Sequence, residues 1–223
     1  MKLISYEVGQ SLQMIRMDEV HPLHGIYMPD VILKIGNRYR FVTRPMEINA
    51  ETENAIKFEI GIIQIGDQQT AIASLGVYND GILVVCRDTN DADRVTDDFI
   101  SWATEEFSLR QIQTHIPRKH TSRVVVDFDV SLDAIVSSFT AIASIFELAL
   151  KADQGVQIAP RVQRLVLASD PLDGLPLAQT SFTLEPRSGT PFSSQRFFSA
   201  APMSSEAHLN MRTAIEDVLR KSA

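Results

Sequence analysis

The stretch RSGTPFSSQRFFSAAP, residues 187–202, combines guanidinium and hydroxyl side chains and has no acidic residue. Such groups donate charge-assisted hydrogen bonds to phosphate or carboxylate, and a helix predicted to begin just beyond would add free backbone N–H groups. Two interpretations are open: a structural turn, which the small hydroxyl residues favour, or an anion-binding loop. The ligands in the second interpretation are Arg187, Ser188, Thr190, Ser193 and Arg196.

Phenylalanines in the same stretch indicate that the loop is anchored to a core. Burial of one such ring stabilises a fold by roughly 1.5–3 kcal/mol. Gly189 and Pro191 are typical of a turn. The rings expected to anchor the loop are Phe192, Phe197 and Phe198.

Two aspartates, Asp127 and Asp129, follow an apolar run in VVVDFDVSL, where side chains two apart on a strand share a face. The run partly resembles the first motif of haloacid-dehalogenase-type phosphotransferases, an apolar strand that ends in Asp-x-Asp-Gly-Thr. The resemblance implies a nucleophile at Asp127, a general acid at Asp129, and Mg²⁺ between carboxylate and phosphate. Val130 and Ser131 depart from the Gly-Thr of that motif. In the alternative interpretation Asp127 pairs with a neighbouring arginine and Asp129 caps a helix.

Two further clusters are polar but less specific. His21 and His24 lie three apart in HPLH, just after Asp18 and Glu19. Because zinc sites draw ligands from distant, ordered segments, we predict a surface loop here, with no metal and no cofactor. Residues 107–126 contain no acid, and we expect a solvated linker there, with a positive patch for an anionic partner as the alternative. The basic residues are Arg110, His115, Arg118, Lys119, His120 and Arg123.

Composition predicts one ordered protein. The 223 residues are 44% hydrophobic and 22% charged, ordinary values for a globular fold. The formal net charge of −7 lies entirely in residues 1–110, which argues against general binding of nucleic acid. The sequence also lacks the GxxxxGK[ST], GxGxxG, GxSxG and HExxH motifs of common nucleotide-binding enzymes and hydrolases.

The single cysteine, Cys86, excludes an intrachain disulfide and fits a reducing compartment. The longest apolar stretch, residues 134–150, is too short to cross a bilayer. The N-terminus MKLISYEVGQ has no apolar run of signal-peptide length and is typical of a first strand. We therefore predict a soluble, cytoplasmic protein.

The first half of the sequence has the pattern of a β-meander. β-branched and aromatic runs at 32–44, 55–66 and 70–78 predict strands, and YNDG predicts a hairpin turn with positive φ at Asn79, Asp80 or Gly81. Apolar residues at helical spacing then predict a helix from about Asp88 to Phe107.

The second half alternates strands and helices. Residues 122–130 predict a strand, and Ser131 is a candidate cap for an apolar helix that runs to about Ala152. RVQRLVLAS and TSFTLEP predict two more strands. A terminal helix begins after Ser204 or Ser205, with its packed face formed by Leu209, Ile215, Val218 and Leu219.

These patterns predict one α+β domain over residues 1–223, with an antiparallel β-meander first, a mixed β/α second half and a C-terminal helix. A sub-boundary is expected, if anywhere, near residues 111–122. For function we expect a non-catalytic binding or assembly protein for a protein partner or an anion, with Mg²⁺-dependent phosphoryl chemistry at Asp127 and Asp129 as the alternative. The apolar helix after Leu132 predicts a homo-oligomer, a dimer by default.

Overall fold

The structure, a computed structural model, describes residues 2–15, 20–22, 25–45, 55–110, 118–129, 144–149, 151–153, 155, 164–168 and 181–222. Within these ranges the strands are β1 (Lys2–Met14), β2 (Ala55–Ile65), β3 (Gln68–Tyr78), β4 (Gly81–Cys86), β5 (Lys119–Asp127), β6 (Leu165–Leu167), β7 (Phe182–Pro186) and β8 (Arg196–Ala201). The long helices are α1 (Met28–Arg38), α2 (Thr89–Glu106) and α3 (Ser205–Ser222). Residues 144–149 and 151–153 are also helical, and Phe192–Ser194 form a 3₁₀ turn.

The predicted α+β class is confirmed. Strands β2, β3 and β4 form an antiparallel meander, and the described chain ends in helix α3. No helix in the described ranges is long and apolar enough to cross a membrane.

The chain divides into two compact units, and the expectation of one domain with a sub-boundary near residues 111–122 stays a prediction. The N-terminal unit consists of Tyr6–Ser122 and Met203–Ser205. The C-terminal unit consists of Met1–Ser5, Arg123–Pro202 and Glu206–Ala223.

The meander of the N-terminal unit has the strand order β2-β3-β4-β1. Tyr78 pairs with Gly81, so the predicted hairpin is confirmed, with Asn79 and Asp80 as its two turn residues. The predicted positive φ is wrong, because none of Asn79, Asp80 and Gly81 has a positive φ. This turn closes without the strained conformation that favours Asn and Gly.

The strand predicted at residues 32–44 is wrong, because residues 28–38 form helix α1. Pro29 stands in the first turn with Asp30, where a missing N–H and a negative charge both suit a helix N-terminus. Its partly or fully buried residues include Val31, Ile32 and Ile35, which lie at helical spacing. The β-branched composition was typical of a strand, but packing of one apolar face decided the local structure.

Helix α2 confirms the helix predicted after Cys86. The Asp88 carboxylate caps it by accepting hydrogen bonds from the backbone N–H groups of Asn90 and Asp91, both at 3.0 Å. Its apolar face and the meander form the core of the N-terminal unit, in which Cys86 is buried as predicted. The buried members are Ile15, Val20, Ile35, Tyr39, Phe41, Phe58, Ile63, Ile72, Leu75, Ile82, Val84, Cys86, Ala92, Val95, Phe99 and Ala103.

The C-terminal unit contains the later part of β5 and the strand order β5-β8-β7-β6. Val124, Val125 and Val126 are all buried, so both faces of β5 are covered at this point. The strands predicted from SRVVVDFDV, RVQRLVLAS and TSFTLEP are confirmed as β5, β6 and β7. The predicted cap at Ser131 and the first half of the apolar helix lie outside the described residues.

Candidate functional site

The loop that joins β7 to β8 contains four of the five residues predicted to bind an anion, and the fifth, Arg196, is the first residue of β8. Its ends are joined by a hydrogen bond from the Arg187 N–H to the Arg196 carbonyl at 3.0 Å. Thr190 donates to the Arg187 carbonyl from both its N–H (3.2 Å) and its hydroxyl (2.7 Å). Ser188 and Ser193 are exposed. The contacts of Thr190 therefore stabilise the turn, and the anion-binding role of the loop stays a prediction.

The predicted anchoring of this loop is confirmed at Phe197. That ring is buried and packs edge to face against Phe128, with 5.7 Å between ring centroids. Phe198 is half-buried, and the side chain of Phe192 lies outside the described residues. The first residues of β8 are thus held to the core of the C-terminal unit.

Arg196 and Asp127 are partners. The guanidinium donates two hydrogen bonds to the carboxylate, from Nε at 2.8 Å and from Nη2 at 3.0 Å. The hydrogen bond from Arg196 lowers the pKa of Asp127. The alternative interpretation in which Asp127 pairs with a neighbouring arginine is confirmed. An anion at Arg196, or Mg²⁺ at Asp127, would have to compete with this pair.

Asp129 faces different partners from Asp127. One of its carboxylate oxygens lies 3.5 Å from Nη2 of Arg220, and its backbone N–H donates to Oε1 of Glu216 at 2.9 Å. The helix that Asp129 was predicted to cap lies outside the described residues. The phosphotransferase alternative stays a prediction that the observed contacts do not favour.

Helix α3 buries polar side chains at a spacing of four residues, and sequence reasoning missed them. His208 and Arg212 are completely buried, and Glu216 is nearly so. Leu209 and Ile215, predicted for the packed face, are only partly buried, and the side chains of Val218 and Leu219 lie outside the described residues. We call His208, Arg212 and Glu216 the polar stripe of α3. The available signal was their four-residue repeat, which puts all three on one helix face.

His208 is held in one orientation by β7 and β8. Its Nε2 lies 2.9 Å from the Ser199 hydroxyl, which itself donates to the Thr183 carbonyl at 3.1 Å. A hydroxyl has one proton to donate, so the Nε2–H of the imidazole is the donor in its bond to Ser199. The ring also meets Phe182 edge-on. Burial, with a smaller contribution from the positive Arg212, lowers the pKa of His208 to about 4, which leaves the imidazole neutral at pH 7.

Arg212 is the least usual member of the stripe. Its guanidinium lies over the Phe128 ring, with 4.8 Å from Cζ to the ring centroid. Among the described residues none forms a hydrogen bond with its Nε, Nη1 or Nη2, although all three nitrogens are buried. Burial lowers the pKa of Arg212 to about 9, opposed in part by the negative charge of Glu216. The group is therefore a buried cation at neutral pH.

Acidic residues of helix α2 contact part of the predicted basic stretch in the N-terminal unit. Arg118 forms ion pairs with Asp93 (3.3 Å) and Asp97 (2.6 Å) of α2. Asp93 also accepts a hydrogen bond from the Ser11 hydroxyl at 2.6 Å and lies 2.9 Å from Nε2 of His120. The acidic face of α2 thus pairs with Arg118 and contacts His120, so two of the six basic residues have acidic partners, and the positive patch that they were predicted to form is reduced accordingly.

Of the two histidines in HPLH, the structure describes His21. His21 Nδ1 lies 3.2 Å from the Pro22 carbonyl, whereas His24, Asp18 and Glu19 lie outside the described residues. In the described part of the chain, no three His, Cys, Asp or Glu side chains are grouped as a metal would require.

Comparison with known proteins finds little. No family model matches the chain, and no curated protein is significantly similar. The chain is similar to the solved structure "Methanococcus jannaschii TBP", with a TM-score of 0.44 and 11% identity over 99% of this chain and 98% of that chain. A likeness at this level carries no argument about function.

Proposed function

We propose that this protein is a cytoplasmic, non-catalytic assembly protein that binds a second copy of itself through the segment at residues 144–153, of which residues 144–149 and 151–153 are helical. The observation that carries the proposal is a group of apolar side chains exposed together on that segment. Ile145, Phe146 and Leu148 are 67%, 53% and 67% exposed. The buried free thiol of Cys86 supports the reducing compartment.

The grouping of these side chains distinguishes them from ordinary surface residues. Single exposed apolar residues are common, but contiguous ones mark a surface that another molecule covers. Ile145 and Leu148 lie three apart on one helix face, and Phe146 lies beside them. Covering the exposed part of each would contribute about 1–2 kcal/mol. Burial of these side chains in both copies would favour association and offset part of the entropy lost when two chains come together.

The charged residues next to this apolar surface include both signs, so two copies of the surface can be complementary to each other. Lys151 and Asp153 are exposed, and Glu147 is half-buried, so both signs occur within seven residues. In a two-fold interface the same patch faces itself, so Lys151 of one copy can face Glu147 or Asp153 of the other. This complementarity favours a second copy over a partner of strongly acidic or strongly basic character.

Sedimentation equilibrium of purified protein tests the proposal. We expect wild type to form a dimer at tens of micromolar, and a Phe146→Ser, Leu148→Ser variant to stay monomeric at the same concentration. The matched control is Tyr27→Ser, Leu33→Ser, which also removes one exposed aromatic ring and one exposed leucine, 74% and 54% exposed in the N-terminal unit.

The control variant should dimerise like wild type. Because all four side chains are exposed, each single change should alter the free energy of unfolding by no more than about 0.5 kcal/mol. A wild-type monomer at tens of micromolar, or equal dimerisation by both double variants, would contradict the proposal.

A further inference from the structure

The geometry points to Arg212 of helix α3, whose guanidinium lies over the Phe128 ring, as the binding site for a small oxyanion such as a phosphate or a carboxylate. The residues concerned lie outside 144–153, and the inference does not depend on the proposed self-association.

A buried cation is costly unless it is paired. Removing a charged group from water has a penalty of several kcal/mol, which only an opposite charge and hydrogen bonds offset. Arg212 is completely buried, and in the described ranges its three side-chain nitrogens have no hydrogen-bond partner. Glu216, one turn away, has an oxygen in a hydrogen bond with the Asp129 N–H. The guanidinium donors are therefore available to a ligand.

The neighbour of the guanidinium leaves its donors unused. The Phe128 ring, with its centroid 4.8 Å from Cζ, is in a cation–π contact with Arg212. Phenylalanine has no oxygen or nitrogen that could accept a hydrogen bond from the guanidinium N–H groups. Two parallel N–H bonds match the two oxygens of a carboxylate or phosphate. The aromatic ring thus supports the cation without using its donors.

His208 limits the class of ligand. Its ring is one turn from Arg212, it is neutral at pH 7, and its Nε2 is engaged with the Ser199 hydroxyl. A neutral histidine adds no second positive charge. The site therefore suits an anion of low charge, with monobasic phosphate or a single carboxylate preferred over a polyphosphate.

Thermal unfolding with inorganic phosphate as the probe tests the inference. At constant ionic strength, phosphate should raise the Tm of wild type by about 3–5 °C for each tenfold increase above its Kd, because the ligand binds the folded state. The Arg212→Met variant should lose this dependence.

The matched control is Arg220→Met, which removes an arginine two turns further along the same helix, 52% exposed at its side chain. This variant should keep the full phosphate dependence. Phosphate also stabilises proteins generally by exclusion from their surface, so an equal rise in wild type and in Arg212→Met would overturn the inference. The absence of any rise in wild type would overturn it as well.

A second measurement does not depend on the folding of a variant. The ¹H–¹⁵N resonance of the Arg212 Nε–H in wild type should shift saturably as inorganic phosphate is added. If that resonance stays unmoved up to tens of millimolar phosphate, Arg212 binds no phosphate. Repeating the titration with acetate distinguishes a carboxylate site from a phosphate site.

Discussion

The carboxylate of Asp127 accepts two hydrogen bonds from the guanidinium of Arg196, at 2.8 and 3.0 Å. Each residue belonged to a different candidate site in the sequence, the aspartate to a phosphoryl-transfer motif and the arginine to an anion-binding loop. The fold places them on strands β5 and β8 of the C-terminal unit, where each neutralises the other. A structural role for both is therefore favoured by their geometry.

A double-mutant cycle measures what this pair contributes. Asp127 and Arg196 should show a small favourable coupling energy in urea unfolding of Asp127→Ala, Arg196→Ala and the double variant, because their side chains are partly exposed and solvent screens the pair. Because Arg196 lowers the pKa of Asp127, the contribution is complete above the ordinary carboxyl pKa. It is lost as pH falls through the folded-state value. A coupling energy of zero at pH 7 would contradict the pairing.

The buried imidazole of His208 should make stability depend on pH. Its pKa is about 4 in the folded protein and about 6.5 when unfolded, so between these values only the unfolded state binds the proton. Stability is complete above pH 6.5, and about 3 kcal/mol is lost as pH falls to 4.

The check on His208 is urea unfolding at half-unit pH steps, in wild type and in His208→Gln. The glutamine amide can still donate to Ser199 but does not titrate. The loss between pH 6.5 and 4 should be smaller in the variant by about 3 kcal/mol. Identical pH profiles would show that His208 is not buried in its neutral form.

The cap of helix α2 gives a local test of the N-terminal unit. Asp88→Ala removes the acceptor for two backbone N–H groups and should lower the free energy of unfolding by about 1 kcal/mol. Asp88→Asn keeps a capping oxygen and serves as the control, with a loss of only a few tenths of a kcal/mol expected. Equal losses in both variants, measured by urea unfolding, would argue against a capping role.

The fold was predictable where local pattern and burial agree. Strand β3 was predicted from its β-branched and aromatic composition, the hairpin at Tyr78 and Gly81 from the YNDG residues, and helix α2 from helical spacing. Helix α1 was missed because Val31, Ile32 and Ile35 have strand-forming side chains, while their spacing and Pro29 favour a helix. Composition and periodicity disagreed there, and the periodicity of the buried face was the better guide.

The polar stripe of α3 was harder to predict, for a tertiary reason. Leucine and isoleucine were expected inside because isolated charges are costly to bury. The hydrogen bond with the Ser199 hydroxyl offsets the cost of burying His208. The Phe128 ring lies against the guanidinium of Arg212. Ser199 belongs to β8 and Phe128 directly follows β5, so both lie outside α3, and the helix sequence by itself gave only a four-residue repeat.

Site-specific photo-crosslinking tests the central claim, self-association through residues 144–153, most directly. Phe146 is replaced by p-benzoylphenylalanine, which keeps the aromatic ring, and the control protein carries the same amino acid at Tyr27. Irradiation at tens of micromolar should convert the first protein to a covalent dimer and leave the second monomeric. Failure of the position-146 protein to crosslink, or equal dimer yields from both positions, would contradict self-association through this surface.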